Sequence, residues 1–176
     1  METTVFVGTS LDGFIARSDG SLDWLQSEST QPQEYGFTAF FDSVDAVLIG
    51  RKTYDVVLGF EKWFYGSKPV FVLSRTLRKL EPPEGAECEL VAGTPREVYD
   101  RLERRGFQHV YVDGGVTVQA FLEAGLIQRV VISRLPVLIG SGIPLFGPLS
   151  RDVRLEHVAT RSFPSGLVQS EYRVIP

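Results

Sequence analysis

Val47-Leu48-Ile49-Gly50-Arg51-Lys52-Thr53-Tyr54 sets an unbroken apolar run against a glycine, two cations and a hydroxyl. A run without polar alternation predicts a strand covered on both faces, the kind found inside a parallel sheet. Gly50 lets the backbone approach a ligand, and the residues after it open a helix whose first amides attract an anion. A second stretch, Val110-Tyr111-Val112-Asp113-Gly114-Gly115-Val116-Thr117, repeats the order of buried strand, glycine corner and helix start. Successive amides at such a corner can face an oxyanion. Two corners at one rim of a single sheet can hold both ends of a dinucleotide, whereas either one alone is equally an ordinary turn and a solvated helix start.

Working outward, residues 3–8, 69–73 and 127–133 are further strand-like runs. Aromatics at Tyr35, Phe37, Phe40 and Phe41 give residues 34–42 the spacing of a helix with one aromatic face. Thr94-Pro95-Arg96-Glu97 has the composition of a capping box with proline at the first helical position, and Gly106 is placed to end that helix. A helix carrying Val118, Phe121 and Leu122 follows Gly115 and stops at Gly125, while residues 10–21 and 136–148 read as loops. Residues 153–163 and 167–175 alternate on either side of Pro164-Ser165-Gly166, which predicts a hairpin. Alternating strand and helix followed by an antiparallel pair predicts one α/β domain over residues 1–176, its sheet mainly parallel with an antiparallel C-terminal edge.

The chain has 176 residues and a formal net charge of −4. A domain of that size can bury roughly 70% of its unfolded surface, so its core needs no disulfide or structural metal. Cys88 is the single cysteine, which excludes an intramolecular disulfide and a cysteine metal cluster; no metal site is expected, and a reducing cytoplasm is the natural setting. The acidic residues are dispersed, which argues against nucleic acid or an anionic membrane surface as partner, and no apolar run reaches membrane-spanning length. Gly140-Ser141-Gly142 continues into Ile143-Pro144-Leu145, so it is no dinucleotide fingerprint, and a phosphate-loop motif is absent. With His109 and His157 as the only histidines and no Gly-x-Ser-x-Gly, a serine hydrolase is disfavoured, and both histidines read as structural. The lack of asparagine and the excess of arginine over lysine fit heat adaptation and coding bias equally.

Five stretches occur in order: Ser10-Leu11-Asp12-Gly13-Phe14-Ile15-Ala16; residues 47–54; Val72-Leu73-Ser74-Arg75; Val112-Asp113-Gly114-Gly115; and Pro136-Val137-Leu138-Ile139-Gly140-Ser141-Gly142-Ile143-Pro144-Leu145-Phe146. By them the chain resembles the dihydrofolate reductase superfamily, and the resemblance covers nearly the whole chain. It is closest to the branch of the bacterial riboflavin-biosynthesis reductase domain and its small stand-alone relatives. The resemblance implies a dihydrofolate-reductase-like three-layer α/β fold around an eight-stranded, mainly parallel sheet, with NADPH across the strand ends, and a homodimer. By the same resemblance Gly50, Arg51, Lys52 and Thr53 contact the adenosine phosphate and pyrophosphate. Arg51 would favour NADPH over NADH, since a guanidinium grips an additional ribose phosphate in a bidentate manner. Leu73, Ser74 and Arg75 match a second adenosine-side turn. Gly114, Gly115, Val116 and Thr117 match the glycine turn under the pyrophosphate, with one glycine fewer than in the folate reductases. Gly8, Thr9, Ile15 and Ala16 match the segments that hold the nicotinamide.

Glu34 falls where the folate reductases carry an acid that orients the pterin; a carboxyl there eases protonation of a C=N nitrogen before hydride arrives, and it is equally an acid at a helix start. Asp23, Trp24 and Thr38 are placed to line the substrate side, with core packing the other reading of Trp24. The ligands of a fused zinc deaminase are missing, and no second basic cluster for a substrate phosphate is legible. The expected activity is NADPH-dependent hydride transfer to a C=N or related bond of a pterin, a folate or a ribosylaminopyrimidine such as 5-amino-6-(5-phosphoribosylamino)uracil. The alternatives are a non-catalytic nucleotide-binding module acting as sensor or assembly partner, and a flavin-binding domain of doubly wound type.

Overall fold

The computed structural model describes residues 1–25 and 35–176. In chain order the elements are β1 (Glu2–Thr9), β2 (Phe14–Ala16), a 3-10 turn (Asp23–Leu25), α1 (Phe37–Ser43), β3 (Ala46–Gly50), α2 (Arg51–Leu58), β4 (Val70–Leu73), β5 (Cys88–Val91), α3 (Pro95–Arg104), β6 (His109–Asp113), α4 (Gly115–Glu123), β7 (Arg129–Arg134), β8 (Ile143–Pro144), β9 (Leu155–Ser162) and β10 (Val168–Val174). Eight strands form one sheet in the order β5-β4-β3-β6-β1-β7-β10-β9. The first six run parallel, and β10 pairs antiparallel with both β7 and β9. The mainly parallel sheet with an antiparallel C-terminal edge is therefore present. All six parallel strands end at the same rim.

The unbroken apolar runs follow from two-sided burial. Leu48 belongs to a core shared with Val98 and Leu102 of α3 and Phe121 of α4. Its neighbours Val47 and Ile49 enter a second core with Phe40 of α1 and Tyr54 and Val57 of α2. Side chains alternate across a strand, so a strand between two helical layers needs an apolar residue at every position. α3 carries the expected capping box: the Thr94 hydroxyl accepts from the Glu97 amide at 3.3 Å, and the Glu97 carboxylate accepts from the Thr94 amide at 2.7 Å.

Three local expectations are corrected. The aromatic helix begins at Phe37 rather than at residue 34, behind a left-handed Gly36 with φ 79° that offers no side-chain cap. The loops at 10–21 and 136–148 each contain a short strand, and β2 pairs antiparallel with β8. Asp12 fastens this pair by accepting from the amides of Ile139 and Gly140, at 3.3 and 2.7 Å, and a Cβ at Gly142 would press on the Ala16 carbonyl. β5 is an edge strand that the sequence does not announce, because its half-exposed residues lack an apolar run. His109 bridges the Thr4 hydroxyl and the Ser43 carbonyl, and His157 meets the Thr160 hydroxyl.

Leu102 is fully buried, so Leu102→Ala should cost ~2–5 kcal/mol, while Thr94→Ala at the other end of the same helix face should cost ~1 kcal/mol. Urea unfolding measures both, and equal losses would contradict this division between core packing and cap.

Candidate functional site

β3 and β6 are neighbours in parallel register, with Ile49 opposite Asp113, so Gly50 and Gly114 stand side by side at the rim. Gly114 has φ 93° and ψ 135°, a conformation open essentially to glycine alone. A Cβ there would also press on the Thr53 hydroxyl, and one at Gly50 would lie 2.7 Å from the Thr117 hydroxyl. The corners are thus interlocked, each glycine being filled by the threonine of the other's helix. α2 covers one face of the sheet and α4 the other, yet their N-termini meet at one rim. Both positive helix ends accordingly converge on the same place.

The rim continues onto β4, where Leu73 is in register with Gly50. The Ser74 hydroxyl closes the next turn by accepting from the amides of Thr76 and Leu77, at 3.3 and 3.0 Å. The exposed Arg51 side chain donates to the Thr76 hydroxyl at 3.4 Å and lies 3.6 Å from Asp55. Arg75 is exposed on the same turn. Thr76 carries no signal in the sequence, and only the fold brings it to Arg51.

Beside the corners opens a cleft of about 1060 Å³, at the upper end of the ~300–1,000 Å³ usual for ligand sites. Gly8, Ile15, Ala16, Lys52, Thr53 and Gly114 all line it. Trp24, Tyr35, Phe37, Phe60 and Phe64 form an aromatic wall, and Leu135, Pro136 and Val137 close a further side. Gly50, Arg51, Leu73, Ser74 and Arg75 are not part of this lining and extend along the rim. Gly115 packs beneath Ile15 and Ile143, Thr9 and Thr117 are buried, and Val116 is 72% exposed. Asp23 lies outside the lining, its carboxylate held by the Arg17 guanidinium at 2.6 and 3.0 Å. Thr38 is exposed on α1 and also stands outside it. Glu34 lies outside the described residues.

A feature the sequence reading missed is the carboxyl of Asp113, a residue of the cleft lining. It accepts from the Gly114 amide at 2.7 Å and lies 3.5 Å from the Tyr65 hydroxyl. Desolvation raises its pKa from the ordinary aspartate value, against the opposing pull of hydrogen bonds from the Gly114 amide and the Tyr111 and Tyr65 hydroxyls. Burial first, and then the nearby Asp113 charge, push the Tyr65 and Tyr111 hydroxyls well up. Tyr111 also donates to the Phe6 carbonyl at 2.9 Å. In the sequence Asp113 reads as a turn residue, and nothing in the spacing of Tyr65 marks it for this place.

A family model for the RibD C-terminal domain matches residues 2–169. The chain belongs to that family. A Shewanella sp. PV-4 protein provisionally named for riboflavin biosynthesis has a crystal structure similar to this RibD C-terminal-domain chain: TM-score 0.93, 40% identity and 100% of both chains covered. The Bacillus subtilis (strain 168) protein YwjB, itself uncharacterized, is 29% identical over 178 residues, 92% of each chain. Dihydrofolate reductase from Enterococcus faecalis, complexed with NADP(H), superposes with TM-score 0.70 at 14% identity, covering 99% of this chain and 97% of that one. That last likeness is one of fold, and the dihydrofolate-reductase-like architecture expected from the motifs is the one observed. Family membership and architecture support a reductase-type role. No described helix is long and apolar enough to cross a membrane.

The interlock makes the two corners respond differently. Gly50→Ala should be destabilising alone and largely rescued by Thr117→Ala, because Gly50 has an ordinary φ of −83° and only the hydroxyl obstructs the added carbon. Gly114→Ala should stay destabilised by ~1–3 kcal/mol even with Thr53→Ala, because its backbone strain survives removal of the neighbour. Urea unfolding of the two double-mutant cycles separates these outcomes.

Asp113 has a raised folded-state pKa, so its stabilising contribution is present below the ordinary carboxylate range and lost as pH rises through the raised value. Asp113→Asn should therefore melt higher than the parent at pH 7, the advantage vanishing below about pH 4. Thermal melts across this range check it; an advantage independent of pH would refute it.

Proposed function

We propose that this chain is an NADPH-dependent reductase acting on a C=N or related bond of a flat nitrogen heterocycle of the pterin, folate or ribosylaminopyrimidine kind. The observation that carries the reading is the adjacency of Gly50 and Gly114 at one rim, where both helix N-termini converge and neither corner has room for a Cβ. A pyrophosphate fits such a cradle: the first-turn amides of residues 51–53 and 115–117 supply donors, and Lys52 supplies charge beside them. Arg51, beside Thr76, is assigned to the additional ribose phosphate, with Leu73, Ser74 and Arg75 bordering the adenosine. Gly8, Thr9, Ile15 and Ala16 are assigned to the nicotinamide end, and Gly8, Ile15 and Ala16 lie in the cleft wall. The coenzyme, when bound, supplies the hydride.

The remaining residues orient the second reactant and exclude water. The aromatic wall of Trp24, Phe37 and Phe64 offers flat surfaces against which a ring can lie. Asp113, a residue of the cleft lining, carries a carboxyl of raised pKa, suited to exchange a hydrogen bond or a proton with a ring nitrogen. Glu34 is retained as a second candidate acid. Assembly as a homodimer in the cytoplasm belongs to the same reading; the edge strand β9 and its partner β10 expose Leu155, Val158 and Val168, apolar groups that a second copy can cover.

Fluorescence titration tests the coenzyme. Arg51→Ala should raise the NADPH dissociation constant by about tenfold, the loss of one charge-assisted contact, and leave the NADH constant nearly unchanged. Equal losses would remove the role of Arg51, and no binding of NADPH by the parent protein would overturn the reductase reading.

A further inference from the structure

Among the described residues lining the cleft, Lys52 is the single cation, and it stands at the first turn of α2 beside the glycine corners. Three acidic residues, Asp19, Asp55 and Asp113, line the same space, and Asp55 lies 3.6 Å from the Arg51 guanidinium on the rim. Arg17, adjacent in sequence to the lining residue Ala16, is committed to both oxygens of Asp23. Residues 26–34, Gln-Ser-Glu-Ser-Thr-Gln-Pro-Gln-Glu, contain no lysine, arginine or histidine and add two glutamates to the chain wherever they sit. The wall away from Lys52 is aromatic, with the Phe37 and Phe64 rings 5.4 Å apart and inclined by 33°.

Once the coenzyme's own phosphates are set against Lys52 and the helix ends, no described side chain of the lining is left to neutralise a second phosphate. A phosphate dianion leaving water for an aromatic compartment that already holds acidic side chains meets desolvation and like-charge repulsion, with no further cation among the described lining residues to offset them. An uncharged or protonated amino-heterocycle meets neither penalty, and cationic character gains from the carboxylates and the ring faces. Resting on the reductase reading above, we propose that the substrate of this site is an unphosphorylated, flat amino-heterocycle, neutral or cationic, and that the site discriminates against the sugar-phosphate form of the same ring.

The test uses protein saturated with NADP⁺, so that binding is read without turnover. Its probes are 5-amino-6-(ribosylamino)uracil and the 5′-phosphate of the same compound, each titrated by calorimetry. The unphosphorylated probe should bind at least about tenfold more tightly, since like-charge juxtaposition is strongly unfavourable, and the margin should shrink as salt is raised. Phe60→Arg, at a lining position 39% exposed, should narrow or reverse the preference; Phe64→Arg, 45% exposed, serves if the first variant does not fold. Equal or tighter binding of the phosphate by the parent protein, binding of neither probe, or an unchanged preference in the arginine variant overturns the proposal. A coenzyme titration run before either probe is added separates these failures from a failure of the reductase reading itself.

Discussion

The closeness of two glycine corners governs this molecule. Gly50 and Gly114 end neighbouring parallel strands, and each has its missing side chain replaced by a threonine from the other's helix. Two helix N-termini on opposite faces of the sheet are thereby brought to one point. Neither helix is long, but paired at one rim they bring two positive helix ends together. The same close packing leaves neither corner room for a Cβ.

Around this rim the sheet keeps two kinds of surface apart. Arg51, Thr76 and the Ser74 turn form a polar, exposed border on the β4 side. The cleft beside it takes aromatic groups from the 3-10 turn, α1 and the segment after α2, and its described lining carries three acidic residues and one lysine. The long-range β2–β8 pair, fastened by Asp12, holds Ile15 and Ile143 over Gly115 and so fixes the cleft wall beside the corner.

The strand runs, the capping box at Thr94 and the terminal hairpin were legible because each depends on neighbours in sequence: periodicity, a cap and a turn are local signals. The start of α1 was displaced from residue 34 to Phe37 because aromatic spacing marks a helix face but not its first turn, and Gly36 offers no side-chain cap to announce the boundary. β5 and the β2–β8 pair stayed hidden because such short strands exist only through pairing with a distant partner. In the site, Gly8, Ile15, Ala16, Lys52, Thr53 and Gly114 share the cleft, whereas Asp23 is taken up by Arg17 at its edge. Asp113 and Tyr65 were missed because a turn aspartate and a loop tyrosine look ordinary until burial changes their proton affinity.

By itself the sequence determined the alternation of strand and helix, the parallel character of the sheet, both glycine corners and the scarcity of cations near the aromatic segment. Tertiary structure alone decided that the corners touch, that Thr76 meets Arg51, and that one carboxyl among many is brought beside the Tyr65 hydroxyl at the cleft. Local pattern dictates which conformations a segment can hold. Register and crossover decide which distant segments become neighbours, and desolvation, on which the chemistry of a buried acid depends, is a property of neighbours in space.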